Sequence, residues 1–204
     1  MNDDRTRVCW YTPESYGELT EGIREVLISA EEIRDRVFEL GRAISTDYAG
    51  RNPILVGVLK GVVPFIADLL RAITIPVEID FMAIASYSSE VRDRGMVRLE
   101  KDLSLSITGR HILFVEDIID TGLTLNYLLR LLRARDPESL EVCVLLDKPQ
   151  RRLIDIPLRY KGFDLPDRLV VGCGLDFRER YRNLPFVGLL KPEVFQNDID
   201  DQGR

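Results

Sequence analysis

Residues 112–124 read Ile-Leu-Phe-Val-Glu-Asp-Ile-Ile-Asp-Thr-Gly-Leu-Thr. The apolar run from His111 to Val115 predicts a strand buried on both faces, as in a parallel sheet. It delivers adjacent carboxylates, Glu116 and Asp117. The turn Asp120-Thr121-Gly122 then opens a leucine-rich helix that runs to Arg135 and stops at Pro137. Arg130, Arg133 and Arg135 suit its C-terminal dipole. At the N-terminus of such a helix the backbone N–H groups of Thr121 to Thr124 converge, and the dipole favours an anion. The Thr121 and Thr124 hydroxyls add donors, and Gly122 allows close approach of a phosphate. This is a phosphate cradle without a Walker-A lysine. Glu116 and Asp117 can only accept hydrogen bonds when ionised, which suits ribose hydroxyls or metal-bound water. Phosphate beside diol acceptors suggests a ribose 5-phosphate. A plain helix cap flanked by turn acids would use the same residues. Three acids within five positions, between a buried strand and a helix, favour the site.

Outward from this segment the alternation of strand and helix continues. Ser29 and Glu32 form a capping-box pattern, and Ile33, Val37, Leu40 and Ile44 recur at helical spacing, predicting a helix over 30–47. Residues 53–59 are another buried-strand run, ended by Lys60-Gly61, and Val62 to Ile73 reads as helix. Val77, Ile79, Phe81, Ala83 and Ala85 alternate with Glu78 and Asp80, a strand pattern. The polar stretch Ser86 to Arg94 reads as a mobile loop. Strands are predicted again over Glu141 to Leu146, ending at Asp147-Lys148-Pro149, and over Leu169 to Gly172, ending in Cys173-Gly174-Leu175-Asp176. The pattern predicts a parallel, doubly wound α/β sheet, in which ligands sit beyond the carboxyl ends of the strands. Lys60, Glu116, Asp117, Lys148 and Asp176 are all expected there.

Composition narrows the function classes. The chain has 204 residues, 28 Lys+Arg against 34 Asp+Glu, and a formal charge of -6. With 45% hydrophobic and 30% charged residues it reads as one globular domain with a real core, not a disordered or repetitive chain. The longest apolar runs are strand-length, far short of the roughly 20 residues of a membrane helix. The polar start at Met1-Asn2-Asp3-Asp4 does not resemble a signal peptide. Residues 1–12 and 197–204 read as frayed ends. Cys9, Cys143 and Cys173 are three without a Cys-x-x-Cys pair, which argues against a disulfide framework or zinc site and for a reduced cytoplasmic compartment. His111, the only histidine, reads as structural. An acidic chain is a poor nucleic-acid or anionic-membrane binder, so neither is expected as a partner.

The 112–124 segment closely resembles the phosphoribosyl-diphosphate signature of type I phosphoribosyltransferases. Val115 to Gly122 resembles its hypoxanthine(-guanine) version. The resemblance spans most of 30–195 through Leu59-Lys60-Gly61, Ser86-Tyr87, residues 112–124, Lys148, and Val170 to Arg182. It implies a parallel-sheet core with a small hood formed by terminal segments, all within one domain over 1–204. It implies that Leu59, Lys60 and Gly61 form a diphosphate loop, often with a cis peptide between Leu59 and Lys60. Ser86 and Tyr87 would start a loop that closes over the reaction. Glu116 and Asp117 would hold ribose hydroxyls, partly through Mg2+. Asp120 would exchange a proton with purine N7. Thr121, Gly122, Leu123 and Thr124 would cradle the 5-phosphate, and Arg182 would bind diphosphate. Lys148 would donate to a 6-oxo group, Val170 would meet the base edge, and Asp176 would bind a second Mg2+. Ile118 and Leu169 would cover the base; the family usually has an aromatic residue at 169, and leucine lacks its geometric term of about 0.5–1.5 kcal/mol.

What the resemblance implies is transfer of a 5-phosphoribosyl group from phosphoribosyl diphosphate to hypoxanthine and/or guanine, giving IMP/GMP, by a homodimer or homotetramer. A xanthine or other purine phosphoribosyltransferase is the nearest alternative, and a nucleotide-sensing regulator that kept the fold is a second. Arg151 and Arg152 match no carried motif and read as surface charge.

Overall fold

The computed structural model describes residues 16–85 and 98–194. In chain order its elements are α1 (Glu18–Glu21), β1 (Ile23–Ile28), α2 (Ala30–Asp47), β2 (Ile54–Leu59), α3 (Val63–Ala72), β3 (Glu78–Ile84), β4 (Leu99–Lys101), β5 (His111–Ile119), α4 (Leu123–Arg133), β6 (Ser139–Asp147), a 3-10 turn (Pro149–Arg151), β7 (Tyr160–Asp164), β8 (Val170–Val171) and β9 (Val187–Leu190). Helix α2 starts where the capping box predicts. The Glu32 N–H donates to Ser29 Oγ at 3.2 Å, and the Ser29 N–H donates back to the Glu32 carboxylate at 2.8 Å.

Six strands form one sheet in the order β4-β3-β2-β5-β6-β7, parallel except for β4. Successive side chains of a strand point to opposite faces, so the continuous apolar runs feed two cores. Leu55, Leu113, Val115, Cys143 and Leu145 pack with α2 and α3 through Ile33, Val37, Leu40, Ile44, Phe65 and Leu69. Ile54, Val56, Ile112, Phe114, Val142 and Val144 pack with α4 through Leu125, Leu128, Leu129 and Leu132. From β2 the chain adds β3 on one side. It then returns to the other side of β2 with β5 and continues outward to β6. The direction of winding thus reverses between β2 and β5, where a crevice opens at the carboxyl ends of the strands.

β5 is longer than the sequence suggests. Its register with β2 ends at Gly57 and Val115, but with β6 it continues through Glu116 and Val144, Ile118 and Leu146, and Ile119 and Asp147. Glu116 and Asp117 therefore sit inside the strand, just beyond its ladder with β2, rather than in a turn after it. Helix α4 is shorter than expected. Asp136 takes φ 53, and Ala134 and Arg135 continue only as a turn.

A second, antiparallel sheet has the order β1-β9-β8. Val171, Tyr181, Leu184, Phe186 and Leu190 form the core beneath it. The strand expected over 169–172 is reduced to two residues, Val170 and Val171. β1, β4, β7 and β9 lie outside the strands expected from the sequence. The burial of β1 does not alternate, and glycines interrupt β7 and β9, at Gly162 and Gly188.

Candidate active site

At the reversal between β2 and β5, three chain segments meet in close contact. The Leu59–Lys60 peptide is cis, as the resemblance implies. The next residue, Gly61, lies directly against Asp117; a Cβ there would collide with Asp117 Oδ2. A Cβ on Gly174 would in turn collide with the Gly61 carbonyl oxygen. The Leu59–Gly61 segment and the turn after β8 are thereby packed backbone to backbone, with the Asp117 carboxylate of β5 against Gly61. Asp117 Oδ1 accepts from the Ile118 N–H at 2.7 Å.

Burial, and then the charge of Asp117, push the Glu116 carboxyl well above the usual carboxylate range. Burial also pushes Asp117 up to about 6, against the opposing pull of the Ile118 N–H and Arg182. Glu116 Oε2 is shielded from solvent and has no hydrogen-bond partner. Two raised acids side by side, one with an orphaned oxygen, form a donor set that fits a hard divalent cation. Magnesium is typically held by one or two carboxylates together with substrate oxygens. Among the described residues no cluster of three or more His, Cys, Asp or Glu could enclose a metal by itself.

The basic residues expected at this end are both paired with acids. Arg182 Nη2 lies 2.8 Å from Asp176 Oδ1 and 3.2 Å from Glu179 Oε1, and Nη1 donates to the Gly174 carbonyl at 2.9 Å. Lys60 Nζ donates to Glu179 Oε2 at 3.1 Å. Asp176 Oδ2 accepts from the Glu179 N–H at 2.9 Å, so both Asp176 oxygens are engaged. Glu179 thus bridges the two cations.

The turn into α4 places Gly122 at the N-cap with φ 81, a left-handed conformation that favours glycine. A Cβ there would meet Ile156 Cδ1 at 3.2 Å and the Ile154 carbonyl oxygen at 3.4 Å. Glycine is required by the backbone and by the 152–158 loop packed behind it, a different reason from the close phosphate approach expected. That loop is also tied to the turn by the Leu153 N–H, which donates to the Thr121 carbonyl at 3.0 Å. The Leu123 N–H reaches Thr121 Oγ1 at 3.4 Å.

On the other flank lie the residues expected to meet a base. Lys148 is buried after β6, and its Nζ donates to the Arg168 carbonyl at 2.8 Å. Burial lowers its pKa, with Asp120 and Asp167 opposing and Arg151 reinforcing the shift. Val170 is buried, Ile118 half-buried, and Leu169 is 43% exposed. Ser86 and Tyr87 lie outside the described residues. Arg151 and Arg152, expected as surface charge, differ: Arg151 is exposed but paired with acids, and Arg152 is largely buried. Arg151 Nε lies 2.8 Å from Asp120 Oδ1, and its Nη1 donates to Asp167 Oδ1 at 3.2 Å. Arg152 donates from Nε to Asp147 at 2.9 Å and from Nη1 to the Ile156 carbonyl at 3.1 Å.

Residues 29–178 match the family described as phosphoribosyl transferase domain. The chain belongs to the phosphoribosyltransferase family. It is 46% identical over 179 residues to the hypoxanthine-guanine phosphoribosyltransferase of Streptococcus pneumoniae, covering 88% of this chain and 99% of that one. The crystal structure of a hypoxanthine phosphoribosyltransferase from Staphylococcus aureus is 44% identical, with a TM-score of 0.81 over 87% of this chain and 98% of that one. The chain is also 49% identical over 173 residues to the bifunctional protein TilS/HprT of Listeria monocytogenes, covering 85% of this chain but only 27% of that protein's length.

In this phosphoribosyltransferase, sequence reasoning missed Glu179, Gly174, Arg151 and the Arg168 carbonyl as members of the site. Arg151 carried a usable signal: it follows Lys148 by one turn, at the end of a strand already assigned to the site. Glu179 lies within the Val170 to Arg182 stretch, but nothing local marks it as the acid that pairs with Lys60 and Arg182, and the Arg168 carbonyl, a backbone group, carries no side-chain signal.

Proposed function

We propose that this phosphoribosyltransferase moves the 5-phosphoribosyl group of phosphoribosyl diphosphate onto hypoxanthine and guanine, giving IMP or GMP and diphosphate, in purine salvage. One observation carries the choice of base. The buried Lys148 ammonium already holds a carbonyl oxygen, that of Arg168, at 2.8 Å, beside the Asp120 carboxylate. An ammonium donates and cannot accept, so it suits the 6-oxo group of these bases and mismatches the 6-amino group of adenine. The names of the relatives support the same reading.

Each residue then has a task. Leu59, Lys60, Gly61 and Arg182 hold the diphosphate. Thr121, Gly122, Leu123 and Thr124 hold the 5-phosphate. Glu116 and Asp117 hold the ribose hydroxyls. Ile118 and Leu169 cover the base, Val170 meets its edge, and Ser86 and Tyr87 close over the reaction. Asp120 takes or gives the proton at N7, a role worth about 10²–10⁴-fold. Because the ribose carbon passes through a cation-like state, positioning and charge stabilisation supply most of the rest. Magnesium held by Glu116 and Asp117, with Asp176 serving a second ion, would neutralise the leaving diphosphate. In this reading the β1-β9-β8 sheet is the hood, and the protein is cytoplasmic and assembles as a homodimer or homotetramer.

The test is steady-state turnover of hypoxanthine, guanine, xanthine and adenine with phosphoribosyl diphosphate and magnesium. Hypoxanthine and guanine should turn over and adenine should not. Adenine turnover comparable to that of hypoxanthine would remove Lys148 as the selector, and preference for xanthine would reassign the enzyme.

A further inference from the structure

Two neighbouring arginines of the 149–152 segment face opposite ways. Arg152 turns inward to Asp147, which is 3% exposed, and to the Ile156 carbonyl, anchoring the segment to the end of β6. The Arg151 N–H donates to the Lys148 carbonyl at 3.0 Å, closing the 3-10 turn. With its backbone set this way, Arg151 extends over the base-side flank. Its guanidinium lies between Asp120 and Asp167, at 2.8 and 3.2 Å.

We propose that Arg151 is the positioning residue for Asp120, and that through Asp167 it couples the setting of that carboxylate to the loop that covers the base. The inference rests on the functional reading above. Asp120 Oδ1 is shielded from solvent and has no directed hydrogen bond; the Arg151 guanidinium is the charge in contact with it, with the Lys148 ammonium a second charge nearby. A carboxylate oxygen shielded from water and left without that contact is costly, and the half-exposed group would turn it toward solvent or draw in water. Asp167 directly precedes Arg168, whose carbonyl is held by Lys148, and the exposed Leu169 follows. Arg151 and Lys148 therefore clasp the same loop from the strand ends. A planar guanidinium can bridge two carboxylates in a fixed geometry, which a neutral amide cannot reproduce.

Proton transfer demands placement within hydrogen-bond reach, and a misplacement of about 1 Å can cost 10²-fold. The experiment is a double-mutant cycle between Arg151→Gln and Asp120→Asn, read by kcat and KM with hypoxanthine. The Arg151 side chain is 43% exposed, so the variant should fold, and its Tm reports whether it does. Arg151→Gln should lower kcat about tenfold, the low end of the acid–base range, while KM for phosphoribosyl diphosphate changes less than about twofold. In the Asp120→Asn background the same substitution should change kcat less than about twofold, because the group it positions is gone. Wild-type kcat in Arg151→Gln, or a tenfold loss that persists in the Asp120→Asn background, overturns the inference alone. A wild-type chain inactive on every purine overturns the functional reading and this inference with it.

Discussion

Asp120 has neighbours suited to proton exchange rather than to phosphate. Lys148, Arg151 and Asp167 surround it, and Thr121 leads away from it into α4. Its amide analogue keeps the size and one acceptor oxygen but cannot carry the proton. Asp120→Asn should therefore fold normally and lower kcat by at least about tenfold. Circular dichroism checks the first part and steady-state kinetics the second; unchanged turnover would take Asp120 out of the acid–base role. The acids of the site and their order along the chain were legible, because they cluster within one short motif. Their partners were not. Arg151 reads as surface charge until the 3-10 turn aims it at Asp120, and Glu179 is an ordinary turn residue until it bridges Lys60 and Arg182.

Among the elements, β5 explains why the site sits where it does. Its pairing with β2 stops at Val115, though β2 itself runs on beside β3 to Leu59, and the two residues after that point are Glu116 and Asp117. Gly61, just after β2, lies against Asp117, and only glycine lets it. In Gly61→Ala the new methyl would have to displace Asp117 or part the loop from Gly174. Because the obstruction falls on the carboxylate and on the segment proposed to hold the diphosphate together, the substitution should raise KM for phosphoribosyl diphosphate by about tenfold or more. An interaction with a charged group worth about 1.5–3 kcal/mol sets that scale. Titration of that substrate in the variant measures it; wild-type KM would mean that the junction has slack.

At the scale of the whole molecule, a buried acid outside this site ties one edge of the main sheet together. Asp80 in β3 is 7% exposed and accepts from the N–H groups of Phe81, Ser104 and Leu105 at 2.8, 2.6 and 2.9 Å, and from Lys101 Nζ at 3.3 Å. It staples β4, which pairs antiparallel, and the turn after it, onto β3. Burial alone would raise its pKa, but those donors outweigh burial and hold it below the usual carboxylate range. Since the folded form binds its proton more weakly than the unfolded chain does, the staple stabilises fully above the unfolded pKa of about 4. It is lost as pH falls through the lower folded value. Asp80→Asn should melt below wild type at pH 7, and the gap should shrink as the pH drops below about 4. Thermal melts across pH measure this, and a gap that widens on acidification would contradict it.

Net charge behaves differently at this scale and at the site. The overall value of -6 says nothing about the local field, where Lys60 pairs with Glu179 and Arg182 with Asp176 and Glu179, beside the acids Glu116 and Asp117. By itself the sequence determined the central strands β2, β5 and β6, the helices α2, α3 and α4, and the motif that joins β5 to α4. These depend on periodicity, capping and turn chemistry, which act between residues close in the chain. Only the tertiary structure decided the small sheet, the Gly61–Asp117–Gly174 junction and the clasp of Arg151 on Asp120 and Asp167. In each of these, packing joins chain segments that carry no mark of one another until the sheet brings them together.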